Sequence, residues 1–357
     1  MIEPKRKFST WSSFLTAAFT LTSPTLAQNL KPHGSSHASR GSPAALPLPH
    51  RIVTQFQKPS WIENIAVRSN GDLLLTQLFP SPILYTVISP ASVSPKTGIV
   101  HTFDGVEGLL GITETATPDV FVLVGTNASN PGSGASTAWS VDFRQRDSQP
   151  AVTEIAQLRD ARVPNGMTTS PQLGDSVLIA DSAGFVWHLD LHTGEHRVAA
   201  QVPEMAPAAG SSGTGINGVK MHGGYLYWSN SADASLYRLG GRRDGSPCES
   251  ARVQKAAAPD ATFLDDFVIG KDGTIWAATN SDNRLLAVRG FNGSVVVAGG
   301  TSELTLAGNT AAAFGRGKTD AHILYVVTCG GLRAPVNGTY TEGGKVVAVD
   351  TRGFAWD

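Results

Sequence analysis

A unit of four short strands with no intervening helix recurs along most of this chain, and the spacing of its copies decides what the chain can fold into. The cleanest copy is Thr262 to Val288, TFLDDFVIGKDGTIWAATNSDNRLLAV. Phe267, Val268 and Ile269 form an apolar run behind Asp265 and Asp266. Gly270 to Gly273 reads as a hairpin turn. Thr274 to Ala278 is a β-rich inner strand, Ser281 to Asn283 turns the chain again, and Arg284 to Val288 is a third strand. Ser294 to Ala298 supplies a fourth.

Related copies begin near Ile62, Val106, Val163, Ile216 and Leu306. With Glu63, Glu107, Asn165, Asn217, Asp265 and Asn309 as equivalent anchors, the copies lie roughly 44 to 58 residues apart, a propeller spacing and not a solenoid spacing. The expected fold is all-β, a six-bladed β-propeller over residues 51–357. The last copy ends on a third strand, Lys345 to Asp350, while Arg51 to Phe56 resembles a fourth strand placed before the first copy. The N-terminal strand is therefore expected to complete the last blade and close the ring.

Residues 1–27 read as a signal peptide: Lys5, Arg6 and Lys7, then the apolar Phe14 to Leu21, then a small-residue cleavage site at Thr25-Leu26-Ala27. Ser and Thr dilute its apolar segment, which leaves a disordered or organellar N-terminus as the alternative. Residues 28–50 are rich in Pro, Ser, His and Gly and read as a disordered linker. A secreted glycoprotein fits the sequons at Asn127, Asn292 and Asn337. Cys248 and Cys329 are the only cysteines, and the sequence leaves their pairing open. A net charge of −1 argues against a nucleic-acid partner, and no later stretch is long and apolar enough to span a membrane.

Two motifs lead nowhere. Gly315 to Thr319, GRGKT, nearly completes a phosphate-binding loop, but Ala312 stands where its first glycine belongs and a strand follows. His188, His192 and His196 lie across a strand and a turn, so they share no face.

Chemistry is expected at the anchors, because the innermost strands of a propeller converge on its axis. Glu63, Asn165, Asn217 and Asp265 offer two carboxylates and two amide oxygens, a set suited to one divalent cation, Ca²⁺ or Mg²⁺. The alternative is that Asn165-Gly166 and Asn217-Gly218 are turn formers and the acids cap strand ends. No organic cofactor is implied.

These anchors in their contexts, IENIAV, VPNGM, INGV and LDDFVIGKDGTIWAAT, resemble the SMP-30/gluconolactonase/luciferin-regenerating-enzyme superfamily of six-bladed propellers. The resemblance implies that Glu63, Asn165, Asn217 and Asp265 hold a divalent metal. Asn64 and Asp266 depart from that family's usual pattern. Within it, IENIAVRSNGDLLLT, FLDDFVIGKDG and LAGNTAAAFGR are similar to a fungal secondary-metabolite subgroup. That subgroup includes the hetero-Diels-Alderases of tropolone-sesquiterpenoid (meroterpenoid) biosynthesis.

The resemblance implies a pericyclase that joins an ortho-quinone methide to a sesquiterpene olefin. Trp61, Phe79, Phe103, Phe185 and Phe263 are candidates for holding such a hydrophobic substrate, with inter-blade packing as the alternative for each. A metal-dependent lactone hydrolase is the second reading, with Asp265 or Asp266 as the base. A non-catalytic secreted binding propeller is the third.

Overall fold

The computed structural model describes residues 45–145, 149–169, 172–209, 213–242, 246–248, 251–290 and 293–356. The expected signal peptide, most of the linker and Asn292 lie outside these residues. The described chain forms six antiparallel sheets of four strands each. They are arranged as a six-bladed β-propeller.

The innermost strands of the blades are, in order, Trp61–Val67, Gly108–Glu114, Pro164–Thr168, Ile216–His222, Phe267–Ile269 and Asn309–Phe314. Each contacts the next, and the sixth contacts the first, so the ring is complete. In the sixth sheet, His50–Gln55 pairs antiparallel with Lys345–Asp350, which makes that blade from both ends of the described chain. The linker was expected to run to residue 50, which is too far. Leu48 is fully buried, and its amide donates to the Val297 carbonyl (2.7 Å).

The turns follow the sequence. Gly270 N–H donates to the Thr274 carbonyl at 2.8 Å, and Gly273 takes the positive φ, 81°, that this hairpin needs. One expectation shifts by a strand. Thr274 to Ala278 is not innermost: Ile275–Ala278 is the second strand of its blade, where Trp276 pairs with Val268.

Apolar residues collect into six cores, one between each pair of neighbouring blades. Alternation along the strands explains this: each middle strand is apolar on both faces, because every blade is sandwiched between two others. Fully burying one Leu or Phe here contributes about 1.5–3 kcal/mol. Cys248 is exposed and Cys329 buried, and both are free thiols, so the disulfide left open by the sequence does not form.

A β-bulge interrupts five of the six innermost strands at matching points, between Ile62 and Asn64, Leu109 and Ile112, Pro164 and Met167, Ile216 and Val219, and Asn309 and Ala311. A bulge kinks its strand and re-aims a side chain. Here it frees Glu63, Asn165 and Asn217 from the ladder. The glycines that follow permit the kinked strands to meet. A Cβ on Gly166 would lie 2.7 Å from the Asn217 carbonyl oxygen, and one on Gly111 would run into that of Asn165.

Candidate active site

At the bulged end of the innermost strands lies a cavity of about 670 Å³. Glu63, Asn165, Asn217 and Asp265 all line it, and each is at most 5% exposed. The structure thus brings together the four anchors that the sequence singled out. Two other anchors are misplaced. Glu107 is exposed and holds Ser129 through its backbone N–H (2.9 Å) and hydroxyl (2.6 Å). The bulge puts Leu110 at the cavity in its place. In blade six the bulge falls on Thr310, whose hydroxyl donates to the Ile62 carbonyl at 2.8 Å.

Hydrogen bonds hold the four in position. Trp61 Nε1 donates to Glu63 Oε2, and Asn280 Nδ2 donates to Asp265 Oδ2 at 2.7 Å. Asn217 Nδ2 donates to Ser231 Oγ at 3.1 Å, and Asn165 Nδ2 to Ser182 Oγ at 3.4 Å. With the nitrogens so occupied, the amide oxygens remain to be satisfied. Asn217 Oδ1 is buried with no hydrogen-bond partner among the described residues.

Burial also sets the electrostatics. Loss of water, then repulsion from Asp265, holds Glu63 well above the usual carboxylate range. Loss of water pushes Asp265 up to about 7, against the hydrogen bond from Asn280 and the nearby charge of Arg333. Two acids this close in a dry site resist ionising together.

Asp266, expected to share the chemistry, is engaged elsewhere. It does not line the cavity. Its Oδ1 receives Lys220 Nζ (2.6 Å) and the Phe267 N–H (2.7 Å), and its Oδ2 receives Asn64 Nδ2 (3.0 Å). This carboxylate is consumed in joining blades one, four and five.

Of the five aromatic candidates, Trp61 and Phe263 line the cavity and three do not. Phe103 is buried between blades one and two, 4.8 Å from the Trp139 ring. Phe185 packs edge-on against Trp187, and Phe79 is 37% exposed at the end of its strand. Alternation along a strand cannot say which end of a blade an aromatic faces, and the three were misread for that reason.

No sequence pattern marks Arg333, whose guanidinium lies 4.2 Å above the Phe263 ring in the cavity wall. It comes from the 329–344 connection, far in sequence from the anchors. Ala128, Ser129 and Pro131, at the edge of the Gly/Ser-rich loop 130–136, also line the cavity. The remaining walls are unequal. Trp61, Leu78, Leu110, Val163 and Leu332 make one side apolar, and they continue into the core between blades two and three.

Among the described residues no group of three His, Cys, Asp or Glu side chains is placed to hold a metal, and no helix is long and apolar enough to cross a membrane. The GRGKT turn folds around Asp320, whose Oδ1 accepts the Gly317 N–H at 2.7 Å, and leads into the strand Ile323–Thr328.

Comparison with known proteins agrees with this architecture. The luciferin-regenerating enzyme superposes with a TM-score of 0.61 at 13% identity, over 86% of this chain and 96% of that one. The calcium-binding protein regucalcin of Agrobacterium tumefaciens superposes with a TM-score of 0.57 at 14% identity, over 85% and 94%. At these identities the likeness establishes the fold alone. The protein is thus a six-bladed propeller with the fold of the luciferin-regenerating enzyme and regucalcin, and with a partly apolar cavity lined by its innermost strands.

No family profile matches the sequence. Two relatives do. A Sarocladium schorii protein named as a hetero-Diels-Alderase is 34% identical over 353 residues, which is 89% of this chain and 87% of that protein. A Phoma protein of the same name is 32% identical over 315 residues, covering 79% and 87%. The chain belongs to this hetero-Diels-Alderase family, and it is a pericyclase.

Proposed function

We propose that the axial cavity binds a tropolone-type ortho-quinone methide together with a sesquiterpene olefin and joins them by a hetero-Diels–Alder reaction, a step of meroterpenoid biosynthesis. The observation that carries this reading is the division of the cavity. Trp61, Leu78, Leu110, Val163 and Leu332, which belong to one apolar cluster, offer an olefin apolar surface, and Glu63, Asn165, Asn217, Asp265 and Arg333 bring polar groups to the same cavity. A volume of about 670 Å³ falls within the range of roughly 300–1,000 Å³ typical of small-molecule sites.

Cycloaddition needs little from the protein beyond placement. Holding two reactants at contact distance with their π faces aligned removes the entropic cost of their meeting. Hydrogen-bond donors aimed at the diene carbonyl lower the barrier further. One C–C and one C–O bond form, and no proton, electron or co-reactant is consumed. Before that step the quinone methide must arise from an alcohol by loss of water. Asp265, which burial holds up to about 7, donates a proton to the leaving hydroxyl and takes back the proton that the ring hydroxyl gives up, so that water is the only product lost.

The four-oxygen set supports a second reading. The unpartnered Asn217 Oδ1, its neighbour Asn165 and the two buried carboxylates fit a hard divalent cation. Glu63, Asn165, Asn217 and Asp265 would hold it, and when bound it would supply positive charge that polarises a carbonyl. A metal-dependent lactone hydrolase would use the same residues.

Turnover of two substrate pairs with and without EDTA separates these readings. Accelerated, stereoselective adduct formation from a hydroxymethyl-tropolone and a humulene alcohol that survives EDTA is the expected result. Opening of an aldonolactone that EDTA abolishes would replace the pericyclase reading with the hydrolase.

Entry into the secretory pathway belongs to the same proposal. It rests on the residues 1–27 pattern and on sequons at Asn127 and at the exposed Asn337. Expression of the full chain in a fungal host tests it: secreted protein that loses mass with an endoglycosidase is expected, and cytosolic unglycosylated protein contradicts it.

A further inference from the structure

Several arginines of this fold are held by a carboxylate. Arg68, Arg284 and Arg316 each hold a carboxylate, at 2.7, 3.1 and 2.6 Å. Arg333 holds none. Among the described residues its guanidinium has no hydrogen-bond acceptor, and its one close partner is the face of Phe263. A half-buried guanidinium carries five N–H donors that need acceptors.

Its placement is also specific. Arg333 lines the cavity and acts electrostatically on both Glu63 and Asp265, so its charge lies near the polar floor. The contact with Phe263 holds the guanidinium at the cavity wall, and no acceptor among the described residues takes its N–H donors. Arg162, the other arginine in the lining, is exposed and lies beside Gly132.

We propose that Arg333 is a catalytic residue of the cycloaddition: its guanidinium receives the carbonyl oxygen of the heterodiene, while the Phe263 side of the cavity takes that planar ring and the Leu110 side takes the olefin. This rests on the pericyclase reading above and adds the group that recognises the substrate. As the C–O and C–C bonds form, the three reacting π bonds become one. Hydrogen bonding to the carbonyl oxygen withdraws electron density from the diene, which matches it to an electron-rich olefin and favours one of the two orientations. The ligand this arrangement selects is a planar conjugated carbonyl whose oxygen bears partial or full negative charge.

Tropolone itself is the probe. Its binding to the full-length protein is followed by the ring's near-ultraviolet absorption, with EDTA present throughout because tropolone chelates cations that could stand in for the guanidinium. Wild type is expected to bind it, and Arg333→Gln to bind at least about tenfold more weakly. Arg333→Met, which keeps the apolar stem over Phe263, should show the same loss, so an effect of misfolding in one variant does not decide the result. Both variants should lower kcat for adduct formation about 100-fold, the scale of removing one donor from an oxyanion site.

Equal tropolone affinity in wild type and both variants, or no binding by wild type, overturns the assignment. Arg333-dependent binding with no acceleration of the cycloaddition would overturn the pericyclase reading and leave this site standing. Full cycloaddition rates in both variants would do the reverse.

Discussion

The Lys220 ammonium lies 2.6 Å from Asp266 Oδ1 and ties the innermost strand of blade four to the start of blade five. Asn64 Nδ2 reaches the same carboxylate from blade one at 3.0 Å, so a single side chain braces three blades. Replacing Asp266 with Ala strands a mostly buried ammonium and two N–H donors. The expected loss, read from urea denaturation, is about 3 kcal/mol. Unchanged stability with abolished turnover would instead return Asp266 to the catalytic site.

Phe263 and Phe103 should fail in different ways. Phe103 sits in an inter-blade core, and Phe103→Ala is expected to cost about 3–5 kcal/mol while leaving KM near the wild-type value. Phe263→Ala removes a cavity wall and the ring under Arg333. It should raise KM for the tropolone partner at least about tenfold, with less loss of stability than Phe103→Ala, because its ring is only half-buried. Steady-state kinetics and melting curves of the pair check this.

Stability should depend on pH through Glu63 and Asp265. Both are acids whose folded pKa is raised, so the native state binds their protons more tightly than the unfolded chain. Their contribution is present below the unfolded carboxylate range, about pH 4, and is lost as pH rises toward about 7. In EDTA the urea midpoint should therefore fall between pH 5 and pH 8, and Asp265→Asn should flatten that fall. Calcium binds the ionised form, so its addition should raise the midpoint more at pH 8 than at pH 5. Equal midpoints with and without calcium at pH 8 would show that the four oxygens hold no such cation.

The two thiols should be chemically unlike. Burial pushes Cys329 up to about 12, whereas Cys248 is exposed. A maleimide should label the native protein once, at Cys248, and twice only after denaturation. Rapid native labelling of Cys329 would mean that the blade-six edge of the cavity opens.

What was legible in the sequence was what repeats. Each blade carries its own alternation and turn residues, so six copies of one pattern define the fold, and Glu63, Asn165, Asn217 and Asp265 stand at fixed offsets within it. The bulge was not legible. One extra residue in the innermost strand of blade two decides that Leu110 and not Glu107 meets the cavity, and no local pattern marks it. Arg333 was hidden for a different reason. It reaches the cavity from a connecting loop that lies outside the repeated blade pattern. Asp266 was misread because an acid adjacent to a site residue serves equally as a ligand, a base or, as found, a brace.

The enantiomeric composition of the adduct tests the central claim most directly, because an ortho-quinone methide also reacts in free solution without facial preference. An asymmetric cavity divided between the Leu110 wall and the Arg333–Phe263 wall predicts a single enantiomer in the presence of wild-type protein. Leu110→Trp, which fills the apolar half, should return the product to the composition formed in buffer. The same racemic mixture with and without wild-type protein would contradict the account.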